Sequence, residues 1–487
     1  MAKSQLTSTE AEIFDVLIVG AGISGINCAY RLQAELPHVK FALLEGRDRI
    51  GGTWDLYKYP GVRTDSDIHS MGFTWHRWSF DHPIATGAQI MEYLADAVSK
   101  HRLAQYIRLR HKVLSVNWST ADQNWNLVVM DHDDLFKRFR ARWIILGTGY
   151  YDHDTPLQTD IPGLDGFKGK VINPQFWPSE FDYNNKRITI IGSGATAVSL
   201  LPALPERAAQ VTMLQRSPTY ITTSPNTAWL HRYLPRPVVD TYRRIHYLFS
   251  TYLLVLMCQY FPDFVRDTFR KEVTKLLPNR IDYETHFNPR YNPWEQRICL
   301  DPDSAFYKAL HLPNVHLITG DIDTVTDNEI RMRDGQTTGA DIIVTAIGFR
   351  MMMGGKIEIR VDNEPVQWRR RYIWNGAMLD SVPNMMFMLG YTNHAWTLGA
   401  DNTSIVLTRL WKKMEENGAR SAVPRVPEDA ATDTQRMWQL SATYVSAADD
   451  ELPVYGMTGN WKPRNRPPVD YFHARWGDCT SGLDFST

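Results

Sequence analysis

Two segments of this 487-residue chain share a layout that few folds accommodate: a short apolar strand, a glycine-rich turn and an amphipathic helix. The first is FDVLIVGAGISGINCAYRLQAEL, beginning at Phe14, and the second is KRITIIGSGATAVSLLPALP, beginning at Lys186. Each is followed by another short strand, FALLE at 41–45 and QVTMLQR at 210–216, as a parallel βαβ unit requires. The pattern predicts an α/β fold with two Rossmann-type dinucleotide-binding domains.

The small residues of the two turns would let the backbone approach a pyrophosphate closely. They are Gly20, Gly22 and Gly25 in the first unit, and Gly192, Gly194 and Ala197 in the second. The alternative, a glycine-rich turn in a generic α/β domain, is disfavoured by the residues that end the two second strands.

Those strand ends carry opposite charges. Glu45 can accept hydrogen bonds from both ribose hydroxyls of an adenosine. Arg216, followed by Ser217, can pair with a 2′-phosphate that an acid would repel, so NADPH is expected there rather than NADH. The alternative for Arg216 is an ordinary surface arginine. Two nucleotide sites whose ribose-contacting residues carry opposite charges indicate a flavin that is reduced by a nicotinamide. They predict FAD and NADPH as cofactors.

The length of the chain favours two or three domains. We predict an FAD-binding domain of residues 1–152 and 350–487, an NADPH-binding domain of 153–226 and 302–349, and a helical insertion in the NADPH domain at 227–301. The insertion is predicted from helix-length segments rich in aromatic, leucine and basic residues.

One run of the insertion, IHYLFSTYLLVLMC from Ile245 to Cys258, is too short to span a bilayer. We expect a buried helix, with a membrane-surface anchor as the alternative. The tail from about Pro424 shows little periodicity, so irregular structure on the surface is expected there.

Composition limits partners and compartment. Lys+Arg number 53 and Asp+Glu 54, a net charge of -1 that gives no electrostatic reason to expect nucleic acid, so a small organic substrate is expected. The N-terminal segment lacks the apolar core of a signal peptide. The four cysteines form no C-x-x-C pair, which fits a reducing cytoplasm and signals neither a dithiol centre nor a zinc ribbon.

Three further features have competing interpretations. The stretches DHDD at 131–134 and DHD at 152–154 lack metal-ligand spacing, and we interpret both as solvated turns, with no metal expected. Two interpretations are open for Trp75, Trp78 and Trp396: they line a pocket, or they pack in the core. The number of tryptophans in the chain, 16, favours packing.

A longer motif follows the first nucleotide unit. GGTWDLYKYPGVRTD, residues 51–65, resembles at every defined position the signature G-G-x-W-x-x-x-x-Y-P-G-x-x-x-D of the type I Baeyer-Villiger flavin monooxygenases. The likeness continues in order through FKGKVINPQFWP, GSGATA, LQRSPTYI, YNPWEQRICL and GYTNHAWTLGAD. Within the family it is closest to the ethionamide-activating branch.

The resemblance implies roles for individual residues. It places at the FAD site Ser24, Glu45, Gly52, Thr53, Trp54, Asp55, Leu56, Asp65 and Val113. It places at the NADPH site Gly192, Ser193, Gly194, Ala195, Thr196, Ala197, Arg216 and Ser217. Arg297 matches the active-site arginine of the family, and Asp65 the carboxylate that positions it. Many relatives have a lysine before that arginine; Gln296 stands there, so the preference for NADPH depends more on Arg216.

The chemistry of Arg297 and Asp65 suits the implied reaction. A guanidinium is always charged and can stabilise an anionic C4a-peroxyflavin and the oxyanion of its adduct with a ketone, and Asp65 can orient it. The expected reaction inserts one atom of O2 next to a ketone carbonyl, giving an ester or lactone. The first alternative is oxygenation of sulfur or nitrogen by the protonated peroxide. The second, from another class, is a non-catalytic FAD- and NADPH-binding protein.

That second alternative arises at the segment FKGKVINPQFWP. Phe167, Gly169 and Trp177 match a family fingerprint at the junction of the two domains, but Asn173 replaces its histidine. An amide keeps a donor and an acceptor but cannot become a cation. We expect Asn173 to preserve a hydrogen-bonded linker and to remove any pH-dependent charge there.

Overall fold

The computed structural model describes residues 10–227, 230, 233–431 and 433–487. Residues 1–9, where no signal peptide is predicted, and residues 228, 229, 231 and 232 of the predicted insertion lie outside the described residues. Two large sheets organise the described chain, and each contains one glycine-rich unit.

The first sheet has nine strands. They are β1 (Glu12–Val19), β2 (Phe41–Leu44), β3 (Ile107–Arg108), β4 (Lys112–Ser119), β5 (Asn124–Met130), β6 (Phe136–Leu146), β17 (Glu358–Val361), β18 (Glu364–Pro365) and β21 (Met385–Phe387). Their order is β18-β17-β4-β5-β6-β1-β2-β3, with β21 paired to β6. The pairs of β1 with β2 and β6 are parallel, whereas β5 pairs antiparallel with β4 and β6.

The centre of this sheet is buried on both faces. In β1, Val16, Leu17 and Ile18 have no exposed surface, as expected for a parallel strand covered by helices. Helix α1 (Ile23–Glu35) follows β1 directly after the first glycine turn. This turn therefore lies at the carboxyl edge of the sheet, where open α/β sheets bind nucleotides.

The second sheet has five strands, all parallel. They are β7 (Lys170–Ile172), β8 (Arg187–Ile191), β9 (Gln210–Gln215), β12 (Val315–Thr319) and β16 (Ile342–Thr345), in the order β12-β9-β8-β16-β7. Helix α5 (Ala195–Leu200) follows β8 after the second glycine turn. The strands of both sheets fall within the predicted domain ranges, and the exact boundaries remain a prediction.

The other strands form small sheets. They are β10 (Ile221–Ser224), β11 (Cys299–Pro302), β13 (Ile322–Val325), β14 (Glu329–Met332), β15 (Thr337–Gly339), β19 (Ile373–Trp374), β20 (Met378–Leu379), β22 (Ser421–Pro424), β23 (Gln435–Arg436), β24 (Val454–Tyr455) and β25 (Leu483–Ser486). The other helices are α2 (Thr53–Leu56), α3 (Ile68–Met71), α4 (Gly87–Lys100), α6 (Arg236–Tyr260), α7 (Pro262–Leu276), α8 (Tyr283–Phe287), α9 (Ala305–Leu310), α10 (Trp396–Glu416), α11 (Glu428–Ala431), α12 (Thr443–Ser446) and α13 (Pro467–Trp476).

The predicted helical insertion contains α6, α7 and α8, but the expectation of a buried helix is wrong for α6. Ile245 is 63% exposed and Phe249 is 65% exposed. The reason is that a short apolar run does not specify how many faces of its helix find packing partners. In the described chain no single helix is long and apolar enough to cross a membrane, although α6 and α7, bent by 115°, would qualify together by length and composition.

The tail also differs from the sequence-based expectation of irregular surface structure. Strand β25 pairs with β22, and α13 packs against α10. Trp438 and Trp461 are buried in the cores of the first sheet. Each short element of the tail contributes only one or two buried side chains to the core, so no periodic apolar pattern is visible in its sequence.

The prediction of solvated turns holds for residues 132–134 and Asp154, which are exposed, but is wrong for Asp131 and Asp152, which are buried. Asp152 Oδ1 lies 2.8 Å from Lys356 Nζ, and Asp131 Oδ2 lies 2.8 Å from Lys137 Nζ. The potential ligand atoms of Asp131, His132 and Asp133 lie within 4.8 Å of one another, but Lys137 already pairs with the buried member. The expectation of no metal stays a prediction.

Candidate active site

A cavity of about 1170 Å³ is lined by residues of both glycine-rich turns. Its wall also contains the crossing segments between the two sheets, near residues 147–154 and 346–357, and the loop that carries Arg297. The two predicted nucleotide sites thus share one space with the predicted catalytic arginine.

The first glycine turn leaves no room for a side chain at Gly20 or Gly25. Gly20 has φ +103°, and a Cβ added there would lie 2.6 Å from the carbonyl oxygen of Gly147. A Cβ added at Gly25 would lie 2.0 Å from the backbone oxygen of Gly20. A Cβ added at Gly22 would lie 3.6 Å from Gly52 Cα, in ordinary van der Waals contact. In this described turn no side chain caps α1, which leaves its first N–H groups to an anion.

Glu45 follows β2 and is 8% exposed. Its carboxylate accepts hydrogen bonds from Ala21 N at 2.8 Å and from Arg47 N at 3.1 Å. These donors fix the carboxylate on the cavity wall next to the glycine turn. The carboxylate is therefore oriented in advance, as its predicted contact with an adenosine ribose requires.

Most of the predicted FAD residues line the cavity. They are Gly20, Gly22, Ser24, Glu45, Gly52, Thr53, Trp54, Asp65 and Val113. Three of the described residues, Gly25, Asp55 and Leu56, are not part of the wall. Asp55 instead forms ion pairs with Arg49 Nε at 3.2 Å and Lys58 Nζ at 3.4 Å. It therefore stabilises the segment around residues 49–58 without being part of the cavity wall.

The second glycine turn is tight at its start and open at its end. Gly192 has φ +134°, and a Cβ there would collide with the carbonyl oxygen of Ala346. At Gly194 an added Cβ would meet no atom of the described chain within 4 Å. Arg216 is exposed, donates to Thr443 Oγ1 at 3.4 Å and lines the cavity.

The predicted NADPH residues lie together with one exception. Those on the cavity wall are Gly192, Ser193, Gly194, Ala195, Thr196, Arg216 and Ser217. Ala197 is fully buried behind the turn, in the core of the second sheet. Three further arginines, Arg47, Arg63 and Arg333, line the same cavity and were not predicted.

Arg297 and Asp65 meet on the cavity wall. Arg297 Nη1 lies 3.7 Å from Asp65 Oδ2, and Arg297 Nη2 donates to the hydroxyl of Tyr150 at 3.4 Å. The pKa of Arg297 is held well above its usual value by Tyr150 first, and also by Tyr444, against the opposite effect of burial. Arg297 Nε has no partner within the described protein. The guanidinium is therefore a permanent cation with a donor still to be satisfied.

An aromatic contact connects Arg297 to the first glycine unit. Tyr150 stacks on Trp396 with a centroid distance of 4.5 Å, and Trp396 Nε1 donates to Ser24 Oγ at 3.0 Å. Trp396 lines the cavity and also packs against the core of the first sheet, so both interpretations hold for this residue. Trp75 and Trp78 instead pack with the core around α4.

Sequence reasoning missed Tyr150, Tyr151, Tyr444 and Asp67, all of which line the cavity. A signal existed only for Tyr150, which ends the strand-to-glycine stretch LGTGY. Burial raises the pKa of Asp67 to about 6, against the hydrogen bonds from Ser70 and the charge of Arg244. The cavity therefore holds a carboxyl that titrates close to neutral pH.

The linker fingerprint lies outside the cavity wall of the described chain. Phe167 and Trp177 are buried in the cores beside the second sheet, and Gly169 packs against Asp341 O. Asn173 caps a short turn, because its Oδ1 accepts from Gln175 N at 2.9 Å.

That turn is tied to the crossing segments between the sheets. Gln175 Nε2 donates to Asp152 O at 2.6 Å, and the side chain of Asp152 pairs with Lys356. Met352 N donates to Tyr150 O at 3.0 Å, so the two crossings run side by side. Asn173 thus belongs to a hydrogen-bonded junction.

The fold and this cavity define an oxidoreductase with two dinucleotide-binding units. A sequence-family model described as "Pyridine nucleotide-disulphide oxidoreductase" matches residues 17–247. The four cysteines of the chain are all buried and free, so the disulphide part of that description has no counterpart in the described residues.

Comparison with known proteins gives a narrower assignment. The chain is 38% identical over 456 residues to the FAD-containing monooxygenase EthA of Mycobacterium tuberculosis, covering 93% of each chain. It is 35% identical over 461 residues to the "Probable FAD-binding monooxygenase AlmA" of an Acinetobacter species, covering 94% of this chain and 93% of the other. The chain belongs to the family of FAD-containing monooxygenases, which confirms the resemblance predicted from its motifs.

Solved structures agree in fold. The open crystal structure of cyclohexanone monooxygenase superposes with a TM-score of 0.76 at 20% identity, covering 98% of this chain and 100% of that one. A structure of OTEMO in complex with FAD and NADP gives a TM-score of 0.76 at 18% identity, with the same coverage. The α/β fold with two dinucleotide-binding domains is therefore confirmed.

Proposed function

We propose that this chain is an NADPH-dependent monooxygenase that inserts one oxygen atom of O2 next to a ketone carbonyl, giving an ester or lactone. The observation that carries the proposal is the position of Arg297, a cation beside Asp65 on the wall of a cavity shared by both glycine turns. A permanent cation at that place stabilises negative charge on oxygen.

The first turn fits FAD. The missing side chains at Gly20, Gly22 and Gly52 leave a cradle for a pyrophosphate, which the N-terminus of α1 can bind. Glu45 would hold the adenosine ribose, and Trp54 and Trp396 supply apolar wall. When bound, FAD supplies the activation of O2 after its reduction by NADPH.

The second turn fits NADPH. Gly194 leaves open space in front of α5, and Arg216 stands at the end of β9, where the 2′-phosphate of NADPH would lie. Arg333 on the same wall adds positive charge. The turn is more open than the first, as an exchangeable ligand requires.

The residues between the turns would control the oxygen transfer. The raised pKa of Arg297 keeps its charge at any assay pH, and Asp65 and Tyr150 hold the guanidinium in place. Negative charge that develops on the carbonyl oxygen of a ketone during transfer is stabilised by such a fixed donor. A neutral or mobile donor would favour oxygenation of sulfur or nitrogen, which needs no oxyanion stabilisation.

Two of the matched structures support this choice. They are structures of cyclohexanone monooxygenase bound to cyclohexanone, a ketone, and to ε-caprolactone, the corresponding ring-expanded lactone. Those ligands belong to that protein, with which this chain shares its fold.

The test is product analysis with the FAD-loaded protein, NADPH and O2, using a panel of ketones and matched thioethers. Esters or lactones from the ketones are expected. Sulfoxides without any ester would overturn the ketone assignment in favour of heteroatom oxygenation. A flavin that NADPH fails to bleach without oxygen would instead support a non-catalytic binding protein.

The role of Arg297 is tested by Arg297→Ala beside Arg290→Ala, a control at an exposed arginine of the same loop. Loss of one such donor lowers the rate of ester formation by about 10²–10³-fold. We expect this loss at Arg297 and an unchanged rate at Arg290, with the flavin content of both variants unchanged. Equal rates in the two variants would contradict the role of Arg297.

A further inference from the structure

The outer face of α6 carries a continuous apolar stripe that no part of the described chain covers. Its exposed members are Val238, Tyr242, Ile245, Phe249, Leu253 and Tyr260. At 100° per residue they fall within a sector of about 80°, along a helix about 37 Å long at 1.5 Å per residue. Such a stripe marks an interaction surface.

The bend after α6 extends this surface. Tyr260, Phe261 and Phe264 surround the bend and are each about 60% exposed or more. Helix α7 turns away by 115°, so these aromatic side chains lie at a corner of the fold and not along a straight helix. The stripe and this aromatic corner together are called the α6 surface below.

The composition of the α6 surface matches a lipid bilayer. Residues 245–262 contain no Asp, Glu, Lys or Arg. The stripe combines Ile, Phe and Leu with the amphipathic rings of Tyr242 and Tyr260, and the opposite face of the helix packs on the protein, which gives the apolar, partly aromatic face of a helix that lies in a membrane interface. A protein partner needs hydrogen-bonding groups across the contact, and the six exposed members of the stripe offer only two hydroxyls.

The charge of the surrounding segment points the same way. Residues 236–276 contain seven Arg or Lys and four Asp or Glu. The three arginines of α6 lie away from the stripe: Arg243 is buried, Arg244 donates to backbone oxygens, and Arg236 pairs with Asp81. The other exposed basic side chains of the segment are those of α7, namely Arg270, which pairs with Glu284, Lys275, which pairs with Glu272, and Lys271. Exposed basic side chains next to an uncharged apolar stripe are complementary to the anionic surface of a bilayer.

The opposite face of α6 lines the active-site cavity. Tyr247, Leu248, Thr251 and Leu254 belong to the cavity wall and are centred about half a turn from the stripe at 100° per residue. One helix therefore separates the cavity from the α6 surface.

We propose that the α6 surface docks on a lipid bilayer, lying in its interface without spanning it. Docking would place the helix that forms one wall of the cavity in contact with lipid, so apolar compounds dissolved in the bilayer reach the neighbourhood of the active site. The docking itself does not depend on the proposed reaction.

The test is flotation of the purified, FAD-loaded full chain with vesicles on a density gradient. One set of vesicles is phosphatidylcholine, and the other is phosphatidylcholine with phosphatidylglycerol. The wild-type protein is expected to float with both, and more completely with the anionic vesicles. Protein that stays at the bottom with both kinds of vesicle would overturn the proposal.

The matched variants are Ile245→Ser with Phe249→Ser, and the control is Ile13→Ser, a residue 60% exposed in β1. The double variant is expected to lower the vesicle-bound to free ratio by about tenfold or more, and the control to leave it unchanged. Flavin absorption reports folding, and Phe261→Ser with Phe264→Ser is a second variant at the corner with the same expected loss. Flotation equal to wild type in both double variants would overturn the proposal.

A second copy of the chain is the competing occupant. Sedimentation without vesicles separates the two cases, since a wild-type dimer that Ile245→Ser with Phe249→Ser converts to a monomer would also overturn the proposal. A wild-type monomer that floats supports it. Neither result depends on which substrate the enzyme oxidises, so failure of docking and failure of the proposed reaction are separate results.

Discussion

The two glycine turns have the same sequence layout but differ in how closely the rest of the protein surrounds them. The first is enclosed: Gly20 meets Gly147, Gly22 meets Gly52, and Glu45 is buried and held by two backbone donors. The second is equally tight at its start, where Gly192 meets Ala346, but open at its end: Gly194 has empty space in front of it, and Arg216 is exposed.

The difference corresponds to two kinds of ligand. An enclosed site with oriented partners retains a ligand through many reaction cycles, because release would have to break several fixed contacts at once. An open site with an exposed cation lets its ligand enter and leave. We therefore infer that FAD stays bound at the first turn and that NADPH exchanges at the second.

The largest expected effect comes from filling the first turn. Gly20→Ala adds a methyl group 2.6 Å from Gly147 O at φ +103°, so the backbone must move. We expect at least about a tenfold loss of bound flavin per protein, measured by absorbance after purification. Gly192→Ala is the matched change in the second turn, where an added Cβ would lie 2.1 Å from Ala346 O at φ +134°. It is expected to retain its flavin, because it distorts the turn proposed to bind NADPH. Full flavin content in Gly20→Ala would break the comparison.

The next effect concerns the open site. Arg216→Ala removes the cation expected to pair with the 2′-phosphate, and a hydrogen-bonded charge of this kind contributes about 1.5–3 kcal/mol. We expect KM for NADPH to rise by about 10- to 100-fold, with kcat and the flavin content nearly unchanged. KM for NADH serves as the internal control and should not change. A parallel rise for both nucleotides would show that Arg216 does not recognise the phosphate.

A smaller effect is expected in the cavity between the sites. The folded-state pKa of Asp67 is raised to about 6 by burial, so between its unfolded value of 3.8 and about pH 6 the folded protein holds a proton that the unfolded chain has released. This contribution to stability is present at low pH and is lost as pH rises through 6. Asp67→Asn can keep the cap on Ser70 N and removes the titration.

The corresponding measurement is the free energy of unfolding at pH 4.5 and pH 7.5. Relative to wild type, Asp67→Asn is expected to gain about 1–3 kcal/mol between these two values. Exposed Asp122→Asn is the control and should show no such gain. An equal pH dependence in wild type and Asp67→Asn would contradict the raised pKa.

The smallest effect is expected at the junction of the two sheets. Asn173→His can retain an acceptor for Gln175 N in its neutral form and introduces a group that titrates near pH 6.5. We expect unchanged flavin content and a change of less than about threefold in NADPH-dependent turnover at pH 8, with a new inflection between about pH 6 and 7. A pH profile identical to that of wild type would make the position neutral.

The sequence predicted the parts of the molecule that depend on backbone geometry. Gly20 and Gly192 occupy left-handed conformations next to neighbouring carbonyl groups, a requirement that few residues other than glycine satisfy. Residues 16–19 of β1 are buried on both faces of the sheet, which their continuous apolar run already indicated. Arg297 and Asp65, proposed from the family motif, lie within 4 Å of each other.

Other parts depend on contacts between distant segments and left little local signal. Tyr150, in the first crossing segment, and Trp396, the first residue of α10, meet only because the fold brings these distant segments to one wall. Asp152 is buried because Lys356, far along the chain, neutralises it. The exposure of α6 follows from what packs on each of its faces, and an apolar run of its length does not specify that.

The most direct test of the account is turnover of a ketone by the FAD-loaded protein with NADPH in isotopically labelled O2, followed by mass spectrometry of the product. We expect an ester or lactone that carries one labelled oxygen atom, with one NADPH consumed per product. A product without the label, or labelled product formed without consumption of NADPH, would contradict the claim that the two sites act together on O2 and a ketone.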